Sequence, residues 1–174
     1  MIRIPAREMN YWTGSHWLTF AVAVGVIAVL AVVLLEALAE AEERGEKLMV
    51  EVAFRNMRTG LQLAKGEAIL HGREGEIAGW AGANPARWLA AAPQGYRGEC
   101  ARPADVLREG EWCFDRERRE LAYRPRHDRH LRLAPPDGAV KLLRWRVAAA
   151  QPGAAGLASG LRVEYVTAFE WFSE

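Results

Sequence analysis

Signatures of catalysis are missing from this chain. Its 174 residues contain no serine nucleophile elbow, no HExxH pair, no convincing carboxylate dyad and no Gly-rich phosphate loop following a strand. Structural acids and bases account for the charged residues, so the expected role is non-enzymatic and without a cofactor. An excess of either charge is missing too. The 23 Lys and Arg against 22 Asp and Glu leave a net charge of +1. Such a balance gives no field for holding a polyanion, and nucleic acid is not an expected partner. Cysteine is scarce, with Cys100 and Cys113 the whole supply. Two thiols alone do not make a metal centre. In an oxidising compartment they would pair, closing a loop of about fourteen residues and stabilising the fold by about 3 kcal/mol. The alternative is a free Cys113 packed in a strand as a small hydrophobe.

Asp, Glu, Lys and Arg are all absent between residues 14 and 35. From residue 17 onward this stretch is almost wholly Ala, Val, Leu, Ile and Phe. As a helix it spans roughly 28 Å, the hydrocarbon thickness of a bilayer. Trp17, Leu18, Phe20, Val24, Gly25, Ile27, Leu30 and Leu34 mark the expected anchor, and Gly25 with the surrounding Ala residues permits close approach of another helix. Arg3, Arg7 and the terminal amine precede it, while Glu36, Glu40, Glu42 and Glu43 follow. The positive-inside bias therefore places the N-terminus in the cytoplasm and the rest of the chain outside. Tyr11, Trp12 and Trp17 suit the cytoplasmic interface. A cleaved signal peptide also begins basic and turns apolar, but this run is longer than the usual apolar core of one. It also passes without a turn into the helix-forming Glu36-Ala37-Leu38-Ala39-Glu40-Ala41-Glu42-Glu43, so a retained anchor is expected.

Helical periodicity continues beyond the apolar run. Val50, Phe54, Met57, Leu61, Ala64 and Ala68 recur every three or four residues and form one stripe, flanked by Glu51, Arg55, Arg58, Gln62 and Lys65. The pattern predicts a near-continuous helix from about residue 15 to about residue 80, with Gly45, Gly60, Gly66, Gly72 and Gly75 as weak points. The stripe holds no long heptad register, so its expected partner is the chain's own sheet rather than a coiled-coil mate. Asn84-Pro85 reads as a cap followed by proline at the first helical position. Strand signals then crowd residues 112–114, 120–124, 140–147 and 161–172. In the last run Leu161, Val163, Tyr165, Thr167, Phe169 and Trp171 alternate onto one face. Residues 125–138 and 151–160 carry the breakers of longer loops.

The resulting division is a cytoplasmic tail 1–14, a transmembrane helix 15–36, an amphipathic periplasmic helix 37–82, a connecting loop with a short helix 83–110, and an antiparallel sheet 111–174. The fold class is α+β, a long N-terminal membrane-spanning helix packed on a C-terminal antiparallel β-sheet. This layout resembles the type IV pilin superfamily, especially the pseudopilins and pilin-like accessory proteins of type II secretion. The resemblance rests on Val50-Glu51-Val52-Ala53-Phe54-Arg55-Asn56-Met57, Asn84-Pro85-Ala86-Arg87-Trp88-Leu89, Trp112-Cys113-Phe114-Asp115 and Glu120-Leu121-Ala122-Tyr123-Arg124-Pro125. It implies an accessory or minor subunit of a secretion or pilus assembly in the bacterial inner membrane, acting by protein contacts. Expected partners are the membrane and other pilin-like or secretion and pilus subunits, in homo- or hetero-oligomers. One family signature differs. If Gly14 closed a leader, Ser15 would follow in place of Phe, and Thr19 would stand where the family has Glu. A span without that carboxylate is at ease in lipid alone, which points to an accessory protein that stays in the bilayer.

Two further features carry weaker chemical signals. His127-Asp128-Arg129-His130 has metal-ligand residue types, but Arg124, Arg126, Arg129 and Arg132 oppose a cation, and a solvated basic loop is the plainer reading. Glu36, at the end of the span, reads as a solvated boundary charge. A bitopic envelope scaffold or sensor, and more remotely a membrane-tethered enzyme, are the rival functions.

Overall fold

The computed structural model describes residues 11–134, 140–149 and 160–172. The tail 1–10, most of the loop expected over 151–160 and part of that over 125–138 lie outside the described residues, as do the side chains of Tyr11 and Trp12. One helix, α1 (Tyr11–Leu70), runs for 60 residues, and the chain divides into two compact units at Glu42/Glu43.

In the first unit the described residues, 11–42, are helical. Its apolar stretch is long enough to cross a membrane, and none of its most apolar window is buried within the protein. Trp17, Leu18, Phe20, Val24, Ile27, Leu30 and Leu34 are all exposed, and a side chain at Gly25 would meet nothing. Apolar side chains with no protein cover are what a lipid-crossing helix presents. Glu36 is exposed as well.

In the second unit the remainder of α1 lies on a sheet. Val50, Met57, Leu61 and Ala68 are buried in its core, with Phe54 partly buried and Ala64 intermediate. Full burial of a side chain such as Leu61 contributes about 1.5–3 kcal/mol. The helix stops at Leu70, short of the expected residue 80, because Gly72 adopts φ +66°. Gly72 N–H donates to Ile69 O at 3.0 Å and Arg73 N–H to Ala68 O at 2.8 Å, the paired bonds of a Schellman ending. A short α2 (Glu74–Ile77) and a 3-10 turn at Ala78–Trp80 follow. Gly60 is not a bend at all. A Cβ there would strike the Trp88 carbonyl, so glycine lets the 3-10 turn Pro85–Trp88 lie directly on α1. Asn84 caps that turn, its Oδ1 accepting from Ala86 N–H at 3.0 Å.

Among the described residues seven strands follow: β1 (Tyr96–Cys100), β2 (Glu111–Asp115), β3 (Glu120–Arg124), β4 (Leu131–Ala134), β5 (Leu143–Ala149), β6 (Leu161–Tyr165) and β7 (Ala168–Trp171). They form a five-stranded sheet in the order β1-β2-β3-β5-β6 and a separate β4-β7 pair. The main sheet is mixed, because β1 runs parallel to β2, which corrects the all-antiparallel expectation. Gly95 and Gly98, both at positive φ, read as breakers and conceal β1 within the supposed connecting loop. A helical turn, α3 (Pro103–Val106), lies in the return to β2, and the Cys100–Cys113 disulfide joins the two strands. The final alternating run is also two strands. Its burial alternation survives, with Leu161, Val163, Thr167 and Trp171 buried, yet the chain changes sheets between β6 and β7. Trp112, Tyr123 and Trp145 fill the core beneath α1, with Trp112 and Tyr123 ring centroids 4.2 Å apart. Phe54 meets Tyr165 at 4.2 Å. A smaller core of Leu107, Cys113, Ala122 and Leu142 lies on Cys113's side of the sheet.

Candidate functional site

Glu43 and Glu46 stand in a run of acids that ordinarily faces water. Helical spacing decides otherwise. Positions 43, 46, 50, 57, 61 and 68 share one face, so the helical turn that begins the second unit turns two carboxylates inward. Glu43 is 3% and Glu46 8% exposed. Burying such charges is costly without dedicated donors, and the segment between β3 and β4, with Tyr123 of β3 and Trp171 of β7, supplies them. Glu43 Oε1 accepts from His130 N–H at 2.8 Å and from the Trp171 indole at 3.0 Å, and its Oε2 meets His130 Nδ1 at 2.8 Å. Glu46 Oε1 accepts from the Tyr123 hydroxyl at 2.6 Å and Arg126 N–H at 2.7 Å. Its Oε2 accepts from His127 N–H at 2.9 Å and meets His127 Nδ1 at 3.0 Å.

Each Nδ1 donates to an ionised carboxylate in the tautomer that carries the ring proton on that nitrogen. Burial works against the Glu43 charge, but hydrogen bonds from the His130 side chain and backbone and from Trp171 outweigh it, holding the carboxyl below its ordinary range. Burial, reinforced by the bond to Glu46, pushes the Tyr123 phenol up, so it remains a neutral donor. His130 also stacks on Phe172 at 4.7 Å, and the Arg44 guanidinium lies 5.5 Å from the same ring centroid. The His127–His130 segment therefore clasps α1. Its two imidazoles serve separate carboxylates, and among the described residues no group of three His, Cys, Asp or Glu is placed to hold a metal. The clue available in sequence was the phase of Glu43 and Glu46 with Val50.

A second feature of α1 lies opposite the sheet. Leu48, Val52, Leu63 and Leu70 are exposed, and side chains at Gly45 or Gly66 would meet nothing. With Thr59 between them they form a stripe about 33 Å long. The polar flank of Glu51, Arg55, Arg58, Gln62 and Lys65 separates it on one side from the buried stripe. These apolar side chains have no cover within the described residues.

On Cys113's side of the sheet, Arg144 lies 3.8 Å from Asp115 and 3.5 Å from Glu120, all three buried. Asp115 also accepts from the N–H groups of Glu117 and Arg118 at 3.0 and 3.2 Å, fixing the β2–β3 turn that Arg119 closes at φ +57°. Burial raises the Glu120 carboxyl despite the opposing Arg144 charge. These contacts hold the β2–β3 hairpin. No protein-family model, curated protein or solved structure matches the chain.

Proposed function

We propose that the chain is a non-enzymatic, pilin-like accessory or minor subunit of a bacterial secretion or pilus assembly. It would be anchored in the inner membrane, with its N-terminus cytoplasmic and its C-terminal domain periplasmic. The observation that carries this reading is the exposed stripe of Leu48, Val52, Leu63 and Leu70. A helix whose inner face is already satisfied by its own sheet has no folding reason to be apolar outside, whereas a helix that packs laterally against other subunits does. The lipid-compatible run that precedes it supports a membrane anchor, and the charge asymmetry around that run supports the orientation.

Lack of a carboxylate at Thr19 favours a second reading, a bitopic scaffold or sensor that binds envelope partners without joining a filament. Photo-crosslinkers placed at Leu63 and Leu70 in native membranes, followed by identification of what they capture, test the proposal. Capture of secretion or pilus subunits is the expected result. Capture of unrelated envelope proteins would transfer the case to the scaffold, and a chain that crosslinks to no protein would defeat both.

A further inference from the structure

We infer that Glu43 and Glu46, with His130 and His127, form a proton-operated latch that holds the β3–β4 segment and the end of β7 on α1 while both glutamates are ionised.

The coordination of Glu46 makes the point. Its two oxygens receive four donors: the Tyr123 hydroxyl, Arg126 N–H, His127 N–H and His127 Nδ1. An ionised carboxylate has about four lone-pair sites and no hydrogen, so it satisfies all four. A protonated carboxyl points its own O–H either at one of these donors, losing a bond, or at an Nδ1 whose ring has changed tautomer, and in both cases it loses the charge assistance of the rest. Glu43 is equally one-sided, with three donors and only acceptor oxygens to offer.

Protonation here opens a local structure rather than the core. Arg126, Asp128, Arg129 and His130 are exposed and His127 is half-buried, so apolar burial holds little of this segment. Its main ties to α1 are these bonds. Solvent reaches the latch through the imidazoles, which are 39% and 40% exposed, while the carboxylates they cover are 6% and 3% exposed. An imidazolium on either histidine adds a charge partner to a buried carboxylate, and a neutral imidazole keeps only the hydrogen bond. Glu43 held below its ordinary range agrees with a native state built around the anion.

Among the described residues, the charged and titratable groups of the elements that form the latch include these. From α1 come Arg44 and Lys47, the latter 3.9 Å from Glu51. Tyr123 comes from β3. The connecting segment supplies Arg126, His127, Asp128, Arg129 and His130, with Asp128 held 3.5 Å from Lys141. From β7 come Trp171 and its exposed neighbour Glu170, which stands opposite Arg132 in the β4–β7 register. Outside the latch itself, the acids among these are exposed or already matched to a base, which leaves Glu43 and Glu46 as the buried switch.

Hydrogen exchange on the full chain in detergent micelles, read by mass spectrometry and corrected for intrinsic pH dependence, tests the latch. Between about pH 5 and about pH 2.5, the range in which the depressed Glu43 carboxyl takes up its proton, amides of residues 126–130 should gain roughly tenfold or more in corrected exchange while those of β2, β3 and β5 stay protected. The Glu43→Gln, Glu46→Gln double variant should show the open segment already at neutral pH. Opening of segment and strands together, or a double variant that keeps wild-type protection over residues 126–130, would overturn the inference. If the double variant fails to fold, the wild-type pH series decides alone.

Discussion

At the scale of single residues, burial has opposite consequences for two glutamates. Glu43 collects donors and its folded-state pKa is depressed. Its contribution to stability is therefore complete above the unfolded value of about 4.3 and is lost as pH falls through the lower folded value. Glu43→Gln should cost on the order of 1–3 kcal/mol at neutral pH, since an amide nitrogen would then face a donor. Chemical denaturation across pH should also show a weaker loss of stability in acid, and an unchanged acid limb would remove Glu43 from this role. Glu120 has the reverse sign. Burial raises its folded pKa despite Arg144, so its stabilising proton is fully held below the unfolded value and lost as pH rises through the folded one. Glu120→Gln should therefore weaken any decline in stability on leaving acid for neutral pH, and a steeper decline in the variant would contradict the assignment.

Two glycines of α1 separate the demands made on a secondary-structure element. Gly60 meets the Trp88 carbonyl, whereas Gly66 looks into open space. Gly60→Ala should destabilise by about 1–3 kcal/mol through overpacking. Gly66→Ala should stabilise by up to about 1 kcal/mol through helix propensity. Thermal unfolding of the two variants reads both, and equal effects would refute the packing account. From sequence the two positions look alike, because a weak point in a helix and a close approach to a distant backbone call for the same residue.

That ambiguity explains much of what was and was not legible. The face carrying Val50, Met57 and Leu61 was readable because periodicity is local. So was the Asn84 cap, which needs only its neighbours. The parallel β1 was hidden by Gly95 and Gly98, and β4 by its four-residue length beside Pro135. The break between β6 and β7 leaves the alternation intact, so periodicity alone misses it. The clasp could not be read because its donors lie between 77 and 128 residues further along the chain, a separation visible only in the fold. The thiols, too, are fixed by topology, since the parallel pairing brings Cys100 to Cys113 with a Cα–Cα distance of 5.8 Å. Thiol titration of unreduced, denatured protein should find no free thiol, and reduction should cost about 2–4 kcal/mol. Two reactive thiols before reduction would contradict the bond.

For the whole molecule, α1 has two apolar stripes, one buried and one exposed, and substitution can separate their roles. Leu61 is fully buried beneath the helix, so Leu61→Ala should cost about 2–5 kcal/mol through transfer and cavity terms. Leu63 and Leu70 are 70% and 85% exposed, so glutamate at both should alter stability by no more than about 0.5 kcal/mol per site. If the outer stripe packs on neighbouring subunits, the same double substitution should abolish crosslinking from Val52 while leaving membrane insertion and the unfolding transition in place. Desolvating two carboxylates against an apolar partner helix is prohibitive. Retained capture by the double variant would show that partners bind elsewhere, and loss of the folded unit would show that the outer stripe belongs to the core.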